Sequence, residues 1–383
     1  MKIILITMRI LIVGAGIGGL TLAALLKSNN NFSVEVIEKS KGFSNIGFSI
    51  GIWANGRNIL RELGIEKGLT KKGSITERYQ LLNRKGSVIV DYNLKKHFAE
   101  NWPAEIQVKR DDLHNALLDK VGKEKIRLNT TIKSIEQGKD YAKVVFSDGS
   151  SEEYDLIVGA DGLHSTTRKF IYDNDNEDLG LKGYWMWIPT PKKFPKSCVV
   201  EISAPNEFFG IYPHGGEKTC AYFITSNVYH TKCELGTKDL KNLFPTIFQI
   251  LPELNVIKNN KATFIEFPSR VNIPKWHKER IVLLGDAAHG FENFAGIGGT
   301  MAMEDAQVLV QELCKKQKLS SSMESYEKRR IPRVELAKRS ASRLRRWKIT
   351  KSSFLMKLRE LVLPLIPLSH FTKEYQYLMS KKL

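Results

Sequence analysis

The run Gly14-Ala-Gly16-Ile-Gly18-Gly19 constrains this chain more than any other segment. It follows Arg9 to Val13 (RILIV), a short apolar run suited to a central parallel strand, and precedes Leu20 to Lys27, which continues as a helix. Strand, glycine turn and helix in that order open a βαβ unit. Gly14 permits the tight turn, Gly16 lets the backbone approach a pyrophosphate, and Gly19 lets the helix pack closely on the strand. The phosphates then meet the positive end of the helix. A second strand, Phe32 to Ile37, ends in Glu38, nineteen residues after Gly19, where an acid accepts hydrogen bonds from ribose hydroxyls. Lys39, next in the chain, is counted with Glu38 at this end of the site. The expected ligand is a dinucleotide with an adenosine half. Residues 1 to 26 carry only Lys2 and Arg9 as charges and imitate a signal peptide or a membrane span, but the glycines argue against both. Residues 1 to 7 read as an upstream extension, because the first strand needs nothing before Met8.

Two further runs repeat the strand-to-loop pattern. Tyr154 to Val158 (YDLIV) leads into Gly159-Ala160-Asp161-Gly162-Leu163-His164-Ser165-Thr166-Thr167-Arg168, and Ile281 to Leu284 leads into Gly285-Asp286-Ala287-Ala288-His289. Each places an acid at the carboxyl end of a strand, where open α/β sheets bind their ligands. Gly296-Ile297-Gly298-Gly299 then opens the helical segment Thr300 to Lys316, whose amino terminus favours negative charge.

These motifs together resemble the group A flavin-dependent monooxygenases, the para-hydroxybenzoate hydroxylase-like superfamily, with the salicylate hydroxylase-like and tetracycline-inactivating branches nearest. The likeness runs from residue 8 to about 315 and includes GFSIGIWANGRNILRELGI and, from Gln107, QVKRDDLHNALLD. It implies FAD as the resident cofactor and NADPH or NADH as the transient reductant. Gly14, Gly16 and Gly19 would hold the FAD pyrophosphate, Glu38 the adenosine ribose, Arg110 the ribityl or phosphate region, and Asp286 the ribityl hydroxyls. Gly298 and Gly299 would face the pyrimidine edge of the isoalloxazine. Asp161, Gly162 and Arg168 match a motif tied to both FAD and nicotinamide, although Arg168 reads equally well as a surface ion pair. His289 reads as a structural histidine beside its loop. No side chain is expected to act as the catalyst, since the resemblance implies that the flavin, with oxygen added at C4a as a hydroperoxide, carries the chemistry. Two positions depart from the family pattern: Asn293 stands where proline is common, and Ile297 where glutamine is. Asn293 is expected to be a mobile polar group near the reacting oxygen, leaking peroxide.

From Leu181 to about Val271 the text turns β-leaning and aromatic, which predicts a second, mixed sheet roofing the flavin. Trp185, Trp187, Phe209, Tyr212, Phe223 and Phe294 are the candidate substrate wall, suited to a small aromatic or polycyclic compound. Trp185-Met186-Trp187-Ile188-Pro189 is one residue short of the WxWxIP signature of flavin halogenases, so packing tryptophans are the default. The predicted fold is α/β: a Rossmann-like FAD-binding domain formed by residues 1–75, 105–180 and 273–320, a β-sheet substrate domain formed by 76–104 and 181–272, and a helical extension over 321–383.

The net charge of +18 raises nucleic acid and anionic membrane as partners, but Lys328 to Lys351 alone holds eleven Lys or Arg against Glu335. One basic helix, from Ser325 to Ser352 and interrupted near Pro332, therefore explains most of it, and no nucleic-acid partner is expected. The segment FLMKLRELVLPLIPLSHF from Phe354 is too short and charged to span a bilayer; it either packs back on the body or makes peripheral contact with lipid, the basic helix acting as attractor. Four scattered cysteines, Cys198, Cys220, Cys233 and Cys314, suggest neither disulfides nor a metal cluster and fit a reducing cytoplasm. The alternatives to a monooxygenase are a flavin reductase or dehydrogenase without oxygen insertion, a halogenase, and a basic protein carrying structural FAD.

Overall fold

The structure is a computed structural model and describes residues 7–43, 47–97, 104–173, 176–214, 216–226, 237–256, 264–315 and 317–380. Residues 1–6, most of the expected extension, and Cys233 lie outside the described residues.

Met8–Val13 forms the centre of a six-stranded sheet because four of its six residues are apolar and buried on both faces. Its parallel neighbours are Phe32–Ile37 and Leu156–Gly159; Ile126–Arg127 continues one side and Ile281–Leu283 the other, where His277–Lys278 adds an antiparallel edge. The helices Ile17–Lys27, Arg110–Val121 and Gly298–Leu313 cover one face. A small antiparallel sheet of Ile132–Gln137, Ala142–Phe146 and Ser151–Tyr154 closes the other, packing Val144 and Phe146 on Leu11 and Ile37. Three glycine-bearing turns therefore emerge at the carboxyl ends of adjacent parallel strands.

A seven-stranded sheet stands beside this layer. Its order is Phe264–Glu266, Lys182–Pro189, Lys218–Thr225, Glu207–Tyr212, Cys198–Ala204, Arg78–Leu82 and Val88–Asn93, mixed because Cys198–Ala204 runs parallel to Arg78–Leu82. The β-leaning text between 181 and 271 also contains two helices, Thr237–Leu243 and Pro245–Ile250. Leu240, Phe244, Ile247 and Phe248 seal one face of the large sheet.

The basic helix differs from the sequence expectation. It runs unbroken from Leu319 to Lys348, through Pro332. An interior proline costs about 3 kcal/mol through a lost hydrogen bond and a ring clash, but Pro332 faces solvent while Tyr326, Arg330, Val334 and Ala337 on the inner face are buried. That burial outweighs the defect. The helix is also not a solvated charged face. Among the described residues, seven of the eleven cations between Lys328 and Lys351 are ion-paired: Arg329, Arg330, Arg333, Lys338, Arg343, Arg345 and Lys348. Their partners include Glu304 of the helix Gly298–Leu313, Glu292 of the loop before it, and Glu201 of the large sheet, so the charge is largely spent in holding the layers together. No described helix is long and apolar enough to cross a membrane.

Candidate active site

At the first glycine turn, packing and open space divide the work. Gly14 sits at φ +106°, and a Cβ there would lie 2.5 Å from the Ala160 carbonyl oxygen. A Cβ on Gly19 would collide with the Gly14 carbonyl. Gly16 is different: its backbone angles suit any residue, and nothing lies within 4 Å of its Cβ position. The turn is thus held shut behind and left open in front, at a helix amino terminus whose N–H groups favour an anion. Glu38 braces it, accepting the N–H of Ala15 at 3.0 Å and of Ser40 at 3.0 Å. His114, not singled out from the sequence, contacts the Ala15 carbonyl through Nε2 at 2.8 Å, which makes that nitrogen the donor. Burial lowers its pKa, favouring the neutral ring. Gly14, Gly16, Glu38, Lys39, Thr131 and Asp161 line a cleft of about 200 Å³.

The two residues that followed Ala160 in the motif are more inward-looking than expected. Asp161 lines the cleft, yet its carboxylate accepts from Ser165 Oγ at 2.5 Å and from the N–H groups of Thr166 and Thr167. Arg168 is not at the surface and does not line the cleft. It is buried, and donates to the carbonyls of Leu163 and Ala287 and to Asn176. The reason is local: the turn folds back so that the guanidinium ties its own loop to the Asp286–His289 helix.

The second glycine turn repeats the logic of the first. Nothing lies within 4 Å of a Cβ on Gly298, whereas one on Gly299 would come within 2.7 Å of the Ile50 side chain. Asp286 opens the short helix Asp286–His289 with its side chain exposed, and its charge acts on Arg110, whose guanidinium lies over the Phe48 ring at 5.7 Å. Behind them lies a fully buried lattice. His289 Nε2 and Asp305 Oδ2 are 2.6 Å apart, the Gly285 N–H donates to the same oxygen, and Arg330 donates to Asp305 and Glu304 at 2.6 Å each. Burial opposes ionisation of Asp305, but His289 and Arg330 outweigh it and hold the carboxyl at about 2. His289 is structural, as the sequence indicated. The lattice ties the loop at 285–289 and the helix Gly298–Leu313 to the long carboxyl-terminal helix.

The large sheet carries an aromatic cluster on one face, and strand parity decides its members. Trp185, Trp187, Phe208, Tyr212, Tyr222 and Phe294 form one cluster with Phe48 and Phe264. Trp185 stacks on Tyr222 at 4.2 Å and on Phe48 at 5.2 Å. Phe209 and Phe223, expected in this wall, project from the opposite face and pack on Phe244 and Phe248. Alternation along a strand forces the choice: Phe208 and Tyr222 face one side, so their neighbours face the other. The sequence reading placed the strands but not their parity. Trp187 sits at the seam, donating to the Gly47 carbonyl at 2.5 Å.

Polar groups interrupt this wall at one place. Tyr222 donates to Glu266, and Asn293 Nδ2 donates to the same carboxylate oxygen at 2.9 Å. Burial raises the Glu266 pKa against these hydrogen bonds, and Tyr222 is pushed well above the usual phenol range by burial and by Glu266. Asn293 is therefore tied down rather than mobile. Ile297 is fully buried in the core and does not reach the cleft.

A parallel sheet that presents glycine turns at its carboxyl edge, beside a second sheet walled with aromatics, defines a dinucleotide-binding flavoprotein of the two-sheet kind. The chain belongs to the FAD binding domain family, whose model matches residues 7–341. It is 28% identical over 335 residues to aurachin C monooxygenase/isomerase of Stigmatella aurantiaca, covering 85% of this chain and 86% of that protein. It is 29% identical over 339 residues to 3-hydroxybenzoate 6-hydroxylase 1 of Aquipseudomonas alcaligenes, covering 85% and 86%. Its fold matches that of Klebsiella pneumoniae HpxO complexed with FAD and uric acid at a TM-score of 0.85 and 22% identity, covering 97% of each chain. The protein is an FAD-dependent oxidoreductase of the group A monooxygenase class.

Proposed function

We propose that this enzyme uses NADPH or NADH to hydroxylate a small, flat aromatic or polycyclic compound held between the flavin and the large sheet, in a reducing cytoplasm. The observation that carries the substrate class is the stacked wall of Phe48, Trp185 and Tyr222 on the sheet face that confronts the second glycine turn. Bound FAD, once reduced, supplies the activation of dioxygen. The residues fit that cofactor, because Gly16, Gly162 and Gly298, one in each of three glycine turns, have empty space at their Cβ positions. Gly14, Gly16 and Gly19 would hold the pyrophosphate, Glu38 and Lys39 the adenosine end, Asp286 and Arg110 the ribityl chain, and Gly298 and Gly299 the flavin ring. Asp161 keeps only a lining role.

The wall orients the substrate ring and keeps water off it. An aromatic hydroxyl or ring N–H seated against Tyr222 can pass its proton to Tyr222 Oη as that phenol passes its own to Glu266 Oε1, leaving the ring electron-rich. Asn293 holds the receiving carboxylate in place. Asn293 at this position thus supports a proton path, in place of the peroxide leak suggested by its departure from the family pattern. The test is product mass under ¹⁸O₂ with a panel of hydroxylated and N–H aromatic compounds that stimulate NADPH oxidation. One labelled oxygen in the product is expected; a product that gains none selects the dehydrogenase alternative.

A further inference from the structure

The helix Ser353–Val362 is amphipathic the wrong way round for a helix that only packs on a body. Met356, Arg359 and Leu363 point inward: Arg359 bonds the Trp347 carbonyl, Leu363 packs with Leu81 and Val90 of the large sheet, and Tyr92 holds the Ile366 carbonyl at 3.0 Å. Phe354, Leu355, Leu358, Leu361 and Val362 fall at helical spacing on the outer side, and the following turn adds Leu365. Their exposure is large, 73% for Phe354, 72% for Leu361 and 78% for Leu365. Contiguous apolar surface of this kind marks an interaction site.

The charges around it identify the partner. Arg346, Lys351 and Lys357 are exposed and flank the apolar face in the chain, and among the described residues none of the three is ion-paired with an acid. They stand out because so many cations of the preceding helix are spent internally. A second copy of this chain docking through the same face would bring two like-charged basic patches together, since a two-fold contact pairs a patch with itself. An anionic lipid surface meets both needs, taking the leucines into the acyl boundary and the lysines at the headgroups. We propose that this helix docks the enzyme peripherally on anionic membrane, with Phe354, Leu358, Leu361 and Leu365 inserted and Lys351 and Lys357 at the phosphates. The long basic helix is the rigid mount, not the attractor.

The experiment is sedimentation of the full, FAD-loaded chain with vesicles of phosphatidylcholine alone or mixed with phosphatidylglycerol, alongside sedimentation velocity without lipid. Binding to the mixed vesicles at low salt, weakening as salt rises, is expected. Leu358→Asp with Leu361→Asp should lower it about a hundredfold, as each leucine returned to water forfeits roughly tenfold. Lys351→Glu with Lys357→Glu should also lower it about tenfold or more. Both pairs are exposed, so FAD absorbance and thermal stability should match the parent and exclude misfolding. No binding at low salt, or equal binding to both vesicle types, overturns the proposal. A lipid-indifferent dimer that the Leu361→Asp change splits overturns it in favour of self-association.

Discussion

The glycine-turn cradle and the aromatic cluster of the large sheet are made of different material. The cradle is backbone: its shape depends on where a Cβ is missing, and Gly14, Gly16 and Gly19 sit at fixed intervals because strand, turn and helix repeat at fixed intervals. The wall is side chain: Trp185 and Tyr222 belong to it, and Tyr184 and Phe223, one residue away from each, do not. A site built from backbone tolerates drift in its surroundings and fixes its motif. A site built from alternating side chains can be rewritten without disturbing the sheet, provided the opposite face stays sealed, and that freedom lets one scaffold accept different substrates.

The sharpest break in this comparison is Gly16→Leu. Because the backbone there is ordinary and the space open, the chain should fold normally yet bind FAD about a thousandfold more weakly, through loss of two or more charge-assisted hydrogen bonds at roughly 1.5–3 kcal/mol each. Flavin content and near-ultraviolet circular dichroism measure the two halves of that statement. Next comes Phe223→Ala, on the sealed face. It should cost about 3–5 kcal/mol of stability in denaturant titration while leaving substrate KM where it was. Tyr222→Phe, on the other face and losing only a hydroxyl, should do the reverse: fold and FAD content hold, and coupling or KM worsens about tenfold, the scale of one lost hydrogen bond to a carboxylate. The smallest effect belongs to Glu266→Gln. The parent should lose activity as pH falls through the raised pKa of Glu266, because the carboxylate must be ionised to take a proton; the variant should lose that acidic limb of the pH–rate profile rather than merely scale it down.

The same contrast explains what could be read in advance. The βαβ opening, the two later strand-to-loop runs and the helix after Gly299 were legible because each couples an apolar run to a glycine or acid at a fixed offset. Phe209 and Phe223 were misplaced because a one-residue shift of parity flips every side chain, and nothing in FFGIY or YFIT favours one face until the helices at 237–250 are known to cover the other. Tyr222 and Glu266 meet through pairing of strands far apart in the chain and Asn293 reaches them from the loop before the helix Gly298–Leu313, so no local pattern announces them. The basic helix was visible as composition, but its function was not. Acids such as Glu201, Glu292 and Glu304, which neutralise it, lie far away in sequence and are ordinary where they stand.

The buried lattice of His289, Asp305, Glu304 and Arg330 imposes an order in time. Asp286 and Gly298 precede Arg330 in the chain, and until Arg330 docks Glu304 and Asp305 would be a pair of acids buried without it. An uncompensated buried charge costs roughly 3–5 kcal/mol, enough to keep that part of the core unsettled. The carboxyl-terminal helix is consequently the keystone of this part of the core, which settles only once that helix has docked. A chain cut at Leu319 would keep the first glycine turn but leave Glu304 and Asp305 without Arg330.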